Sequence, residues 1–280
     1  MRRIPVILTI MLLSALSCTK EGPEKAGDSQ LVIEGWIESG KAPVVFVTAS
    51  IEASTEKRKI SDLSDNILRY AKVSVEHDGT VYPLSARLKD SYFLKSYFTS
   101  GRVIGEVGGE YRLRVEWDGK VATAVTTVPE PRELITIRAE QASISDTLFT
   151  IKASFYDNPQ KKEYYKFFTR VNSLGESYSP AYLGDFEGTE SDYRFDVSVN
   201  KGSHLPEVSS EIYFKRGDDV SVKFATSDSI SYNFWKNFEQ NSLASIIPIV
   251  TYFGNCEGNI EGGLGYWAGY GITEYNLCVE

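Results

Sequence analysis

The sequence predicts a mostly β protein: two β-sandwich-like domains in tandem, with one helix in the second. Three observations predict it. From Leu31 onward, apolar and polar residues alternate with a period of two through most of the chain, the spacing of half-buried strands. Two Asp-Gly pairs, Asp78-Gly79 and Asp118-Gly119, each separate two such runs. This is the strongest short hairpin signal, because both turn residues adopt positive φ. Helical periodicity occurs once, between Asp228 and Pro248.

The first elements are not strands. Arg2 and Arg3 precede a mostly apolar run from Ile4 to Leu16, which is too short to span a bilayer as a stable helix. The run ends in Ala15-Leu16-Ser17-Cys18, so residues 1–17 read as a secretory signal peptide. A cysteine directly after the cleavage point resembles a lipobox, with Cys18 acylated and left as the new N-terminus. Ala15 stands where such boxes usually carry a leucine-type residue. Residues 18–30 are polar and rich in Gly, Pro and charge, a composition that reads as a flexible lipidated tether. Two or three acyl chains, at about 0.8 kcal/mol per buried methylene, moor such a protein to a leaflet.

Residues 31–128 read as a seven-strand sandwich of immunoglobulin or transthyretin type. Leu31 to Ile37 opens it. Ala42 to Ser50 follows, with Pro43 at its start, where no ladder donor is lost. Ser54 to Asn66 is charged and loop-like. Tyr70 to His77 and Thr80 to Leu84 flank the first Asp-Gly turn; Tyr111 to Trp117 and Lys120 to Val128 flank the second. A two-residue turn places Val115 opposite Ala122 and Leu113 opposite Ala124, large against small on the core face. A slip of one residue would send that apolar set to water.

Pro129-Glu-Pro131 stiffens the exit and marks a boundary. Residues 132–280 read as a β-rich second domain. Its strands are expected at Leu134 to Ala142, Leu148 to Phe155, Tyr164 to Val171, Tyr193 to Val199 and Val220 to Ala225, with a loop between Ser173 and Asp192. A helix over 229–243 is capped by Asp228 or Ser229. Ile230, Phe234 and Phe238 would form its buried stripe. The glycine-aromatic stretch Asn259-Ile-Glu-Gly-Gly-Leu-Gly-Tyr-Trp-Ala-Gly-Tyr-Gly271 is not a dinucleotide loop. Gly263, Gly265 and Gly269 leave one residue too many in the last gap, and too little chain follows for a crossover helix and strand. It reads as a strand in which glycines allow close backbone approach.

Removing Arg2 and Arg3 from the 30 basic residues leaves 28 against 38 acidic ones, a net charge of −10. A nucleic acid would be repelled. No second apolar run approaches membrane length. With Cys18 acylated, Cys256 and Cys278 remain as an even pair in an oxidising compartment, where a disulfide is expected. Two buried thiols or a metal site are the rivals, and the metal reading has only His77 and His204 to add. Neither the zinc-protease nor the serine-hydrolase motif is present, so no catalytic residue, metal or cofactor is assigned. Asp185 to Asp192 offers oxygen ligands but lacks the EF-hand spacing. Tyr178, Tyr182, Tyr266, Trp267 and Tyr270 are the candidate ligand-facing aromatics; tyrosine is equally at home in cores and interfaces.

Four stretches taken together resemble a known family: Leu31-Val-Ile-Glu-Gly-Trp-Ile-Glu38, the run from Gly119 to Pro131, Tyr232-Asn-Phe-Trp-Lys-Asn-Phe-Glu239, and the glycine-aromatic stretch. They resemble the uncharacterised lipoprotein family catalogued as domain of unknown function 4249. The resemblance implies a Gram-negative outer-membrane lipoprotein with two β-domains, often associated with a TonB-dependent transporter. It carries over no catalytic residue. The expected function is therefore non-enzymatic: a lipid-anchored envelope protein that binds a small molecule, peptide or glycan, or a partner protein, and helps a transporter capture nutrient. The alternatives are a fimbrial or adhesin subunit assembled by strand donation, and an envelope hydrolase with an unrecognised carboxylate site.

Overall fold

The computed structural model describes residues 29–50, 66–92, 94–175, 177–184, 193–202, 210–246 and 257–280. The first half contributes β1 (Leu31–Glu38), β2 (Val44–Ala49), β3 (Lys72–His77), β4 (Thr80–Pro83), β5 (Ser85–Leu88), β6 (Ser96–Thr99), β7 (Glu110–Trp117) and β8 (Lys120–Thr127). The second contributes β9 (Thr136–Gln141), β10 (Leu148–Tyr156), β11 (Tyr164–Val171), β12 (Ser179–Gly184), β13 (Arg194–Val199), β14 (Phe214–Lys215), β15 (Asp219–Ser227), helix α1 (Ser229–Ile246) and β16 (Leu264–Cys278). The protein is mostly β with one α-helix among the described residues, as the alternation predicts. That helix is not long and apolar enough to cross a membrane.

Three sheets form. The longest runs β12-β11-β15-β16-β1-β2-β6-β5 and joins both halves of the chain. A second runs β4-β3-β7-β8. In the third, β13 and β14 share one edge of β10 and β9 takes the other. The second sheet closes over Leu31, Ile33, Ile37, Val75, Leu113, Val115 and Trp267. The third closes over Phe155, Tyr165, Phe167, Val222 and Phe224. Two cores thus fall on either side of Pro129–Pro131. Segment 31–128 does not complete its own core, however; Trp267 comes back from the far end of the sequence.

The Asp-Gly hairpins form as expected. Asp78 and Gly79 have φ of 48° and 72°, Asp118 and Gly119 of 46° and 74°. Leu113 faces Ala124 and Val115 faces Ala122, all four buried. Seven strands are expected before Pro129, six of them placed by residue; eight form among the described residues, and the pair not placed is β5 and β6. All four residues of β5 are exposed, so no apolar alternation marks it. Two more strands, β12 and β14, also lack a clear pattern. β12 lies inside the segment expected as a loop, and β14 is two residues long.

The glycine-aromatic stretch is a strand, β16. Its first half pairs in parallel with β1 and its second half antiparallel with β15. A Cβ on Gly265 would sit 1.8 Å from the Ile33 carbonyl oxygen, and one on Gly269 would sit 2.2 Å from that of Thr127. Only glycine lets the backbones approach this closely.

The Pro129–Pro131 junction is clasped at its exit. Arg132 donates to both Glu163 oxygens, at 2.7 and 3.0 Å, and Tyr165 donates to Glu163 at 3.0 Å. Burial works to raise the Glu163 pKa, but the bonds from Arg132 and Tyr165 outweigh it and hold the carboxyl below its ordinary value. A depressed carboxyl contributes stability above the unfolded pKa, about 4.3, and loses it as pH falls through the folded value. Glu163→Gln should therefore lower stability by about 2 kcal/mol at pH 7. Urea midpoints of the variant and the parent should converge as pH falls below the ordinary carboxylate range; profiles that coincide at every pH would show that the clasp contributes nothing.

Candidate functional site

Alternation along β1 and β16 builds the site. Leu31, Ile33 and Ile37 turn into the first core, so Glu34, Trp36 and Glu38 face the opposite side of the long sheet. On β16 the odd positions Trp267, Tyr275 and Leu277 face the cores. The even positions Tyr266, Ala268, Tyr270 and Ile272 face away.

This outer face is partly roofed by α1. Asp228 caps the helix, its Oδ1 accepting from the Ser231 amide at 2.7 Å. The expected stripe is rotated in part: Phe234 does pack on the sheet, 4.2 Å from Tyr266, but Ile230 and Phe238 are exposed, while Ser231, Tyr232 and Trp235 are buried. Polar anchors decide the rotation. The Trp235 indole donates to the Tyr270 hydroxyl at 2.9 Å, and Tyr232 packs on Tyr164 at 4.9 Å. Beneath them the fully buried Lys166 ammonium bonds the Ala181 carbonyl and Glu239 and lies 5.1 Å from the Trp235 ring. Burial pushes its pKa down, and Glu239 opposes that shift.

Between α1, the residues Lys89, Tyr92 and Leu94, and the sheet lies a cleft of about 480 Å³. One side is aromatic. Phe46 lies 5.9 Å from Trp36 and 5.3 Å from Tyr92. Tyr270 and Trp235 both meet Phe168 edge-on, at 5.8 and 6.0 Å. Burial first, then the neighbouring Tyr97 and Glu38, push the Tyr92 phenol up to about 12, so it stays neutral. Ser177 donates to the Ser91 carbonyl and ties two covering loops together.

The other side is ionic. Lys223 donates to both Glu38 oxygens at 2.6 and 2.8 Å, and Lys41 lies 3.1 Å from Glu38 and also bonds Glu274. Burial pushes the Lys223 pKa down against the pull of Glu38. For Glu274, burial pushes up, but its bond and charge pairing with Lys41 win, so its pKa is lowered. Arg170 and Lys223 both lie over the Tyr178 ring, at 4.6 and 4.3 Å. At the far end of the cleft Tyr266 donates to Glu34 at 3.3 Å. Glu34 is open to solvent within the cleft yet walled by protein. That burial pushes its carboxyl up, and the Tyr266 bond only partly offsets it.

Of the candidate aromatics, Tyr178, Tyr266 and Tyr270 line this cleft. Trp267 does not, which corrects its reading as ligand-facing. It is fully buried in the first core, where its indole donates to the Tyr111 carbonyl at 3.0 Å. Adjacent strand residues face opposite sides, so Trp267 cannot join Tyr266. Tyr182 falls on β12, and its side chain is outside what the structure describes. Cys278 ends β16 with its side chain exposed; Cys18, Cys256, His204 and segment 185–192 lie outside the described residues. His77 stacks on Tyr111 at 4.3 Å, away from the cleft. Sequence reasoning missed Glu34, Glu38, Lys41, Arg170 and Lys223. One signal was present: a lysine amid the apolar run Val220-Ser-Val-Lys-Phe-Ala225 needs a partner.

The arrangement can stack apolar or planar groups on aromatic faces and orient polar ones against fixed charges. A comparison with curated proteins finds no match. The family model that fits this chain spans residues 20–276 and so takes in the strands and the helix of the described residues, nearly to the end of β16; the chain belongs to the family described as Domain of unknown function (DUF4249).

Proposed function

We propose that this is a lipid-anchored cell-envelope binding protein. It takes a small ligand into the aromatic cleft and acts beside a TonB-dependent outer-membrane transporter in nutrient capture. The cleft carries the reading: apolar walls and a few fixed charges in about 480 Å³ are the make-up of a ligand site rather than of a structural seam. Cys18 after a short apolar run supports the anchor, and the family resemblance supports the transporter. A tether of about a dozen residues would keep the cleft at high effective concentration near a membrane partner.

Two measurements test this. Cells fed clickable palmitate should label the parent and not Cys18→Ala; an unlabelled parent removes the anchor. A panel of oligopeptides, oligosaccharides and aromatic acids should contain a compound that raises the melting temperature. Stabilisation reaches about 2.7 kcal/mol at a hundred times Kd. Trp36→Ala should weaken that compound at least about tenfold, equivalent to about 1.4 kcal/mol, with the unliganded melting point little changed. Unchanged affinity would move the site elsewhere. Co-purification of a transporter in stoichiometric yield from solubilised outer membrane tests the partnership.

A further inference from the structure

The charges of the cleft are not distributed evenly. In the middle, Glu38, Lys41, Lys223 and Glu274 are paired with one another. At one end Glu34 accepts from Tyr266 but has no cation within 4.0 Å among the described residues. At the other end Lys89 and Arg170 line both the cleft and an adjoining open cavity. Neither has a carboxylate within 4.0 Å among the described residues. Arg170 bonds only neutral groups, Asn172 at 2.9 Å and Ser221 at 3.4 Å, and lies over the Tyr178 ring. Lys89 lies over the Tyr92 ring at 4.3 Å. Asp219 is the acid on the wall of the second cavity, and it forms an ion pair with neither.

We infer that the cleft recognises a short oligopeptide by both of its ends: the ammonium at Glu34, the terminal carboxylate at Lys89 and Arg170, and apolar side chains against the aromatic wall between them. This deepens the binding reading above and rests on it. A carboxylate with no cation in contact at one end, cations with no carboxylate in contact at the other and a neutralised middle complement a dipolar ligand rather than a uniformly charged one. A guanidinium held over a ring, 4.6 Å from its centre, has lost part of its freedom before a carboxylate arrives. Length follows from the strands. Glu34 is in register with Tyr266, and Arg170, through Ser221, with Asn276, so the two ends lie ten residues apart along β16, about 33 Å between backbones. An extended peptide of about eight residues, roughly 27 Å, with the side chains of both ends leaning toward it, covers the cleft and the adjoining cavity.

The probe is an octapeptide of alternating alanine and phenylalanine, in four forms: free, N-acetylated, C-amidated and doubly blocked. Binding is measured by calorimetry on the full mature chain. The free form should bind, and each block should weaken it about tenfold or more. Arg170→Gln should remove the effect of amidation and keep that of acetylation; Glu34→Gln should do the reverse. Arg170→Lys, which keeps the charge but not the fork, should restore only part of the loss and guards against a variant that merely folds poorly. Equal binding of all four forms overturns end recognition and leaves the cleft reading intact. Preference for a galacturonate oligomer over every peptide overturns the peptide assignment alone. If Trp36→Ala changes no ligand that binds, the cleft reading itself falls.

Discussion

Trp267→Ala should cost the protein about 4 kcal/mol, the range for a large aromatic removed from a packed core. Its ring is fully buried, and its indole satisfies the Tyr111 carbonyl. It also seats on Gly35, where a Cβ would lie 2.9 Å from the ring, and glycine has no side chain to fill the space that the ring leaves. Natural domains have only about 5–15 kcal/mol in total. Urea unfolding should show a much lower midpoint, and the first core should be affected although the substitution lies at the other end of the sequence. Trp36→Ala, on the opposite face of the same sheet, is the control. A loss under about 1 kcal/mol for Trp267→Ala would mean that β16 is not integral to that core.

The second large effect belongs to Glu38. Its carboxylate holds Lys223 by two short bonds, with both side chains nearly buried. Glu38→Gln strands the Lys223 charge in the sheet face, and breaking such a pair costs about 3 kcal/mol. Glu274 is 4.0 Å from Lys223 and already held by Lys41, so it is a poor substitute. The sign of the pH dependence is distinctive. A lysine whose folded pKa is depressed gives up a proton on folding, so the deficit should shrink as pH rises toward the unfolded value near 10.4. Pairing the change with Lys223→Met should recover most of the stability. A single variant as stable as the parent at pH 7 would show that Lys223 reaches water or another partner.

What was legible in the sequence was local. The register of the β7–β8 hairpin followed from Asp118-Gly119 alone, because a two-residue turn leaves no freedom in pairing. The cleft is the contrary case. Its walls come from β1, β2, β11, β15 and β16, and no spacing in the chain says that Lys223 meets Glu38, 185 residues away. Alternation did contain more than was read from it. Tyr266 and Trp267 are neighbours on a strand and had to part, one to the cleft and one to the core. The helix shows the remaining difficulty. Apolar spacing favoured Ile230, Phe234 and Phe238, but hydrogen-bonding partners for Trp235 set which side faced the sheet.

The pairing of β1 with β16 has a consequence for biogenesis. Val32 meets Leu264, so one of the first strands to emerge must wait for one of the last. Contacts this distant in sequence slow folding and prolong exposure of unpaired edges. A chain exported amino-end first would carry an open β1 through the whole of its translocation. Holdases on the far side of the membrane would find it there, and a polypeptide cut short before Leu264 would have no route to the native state.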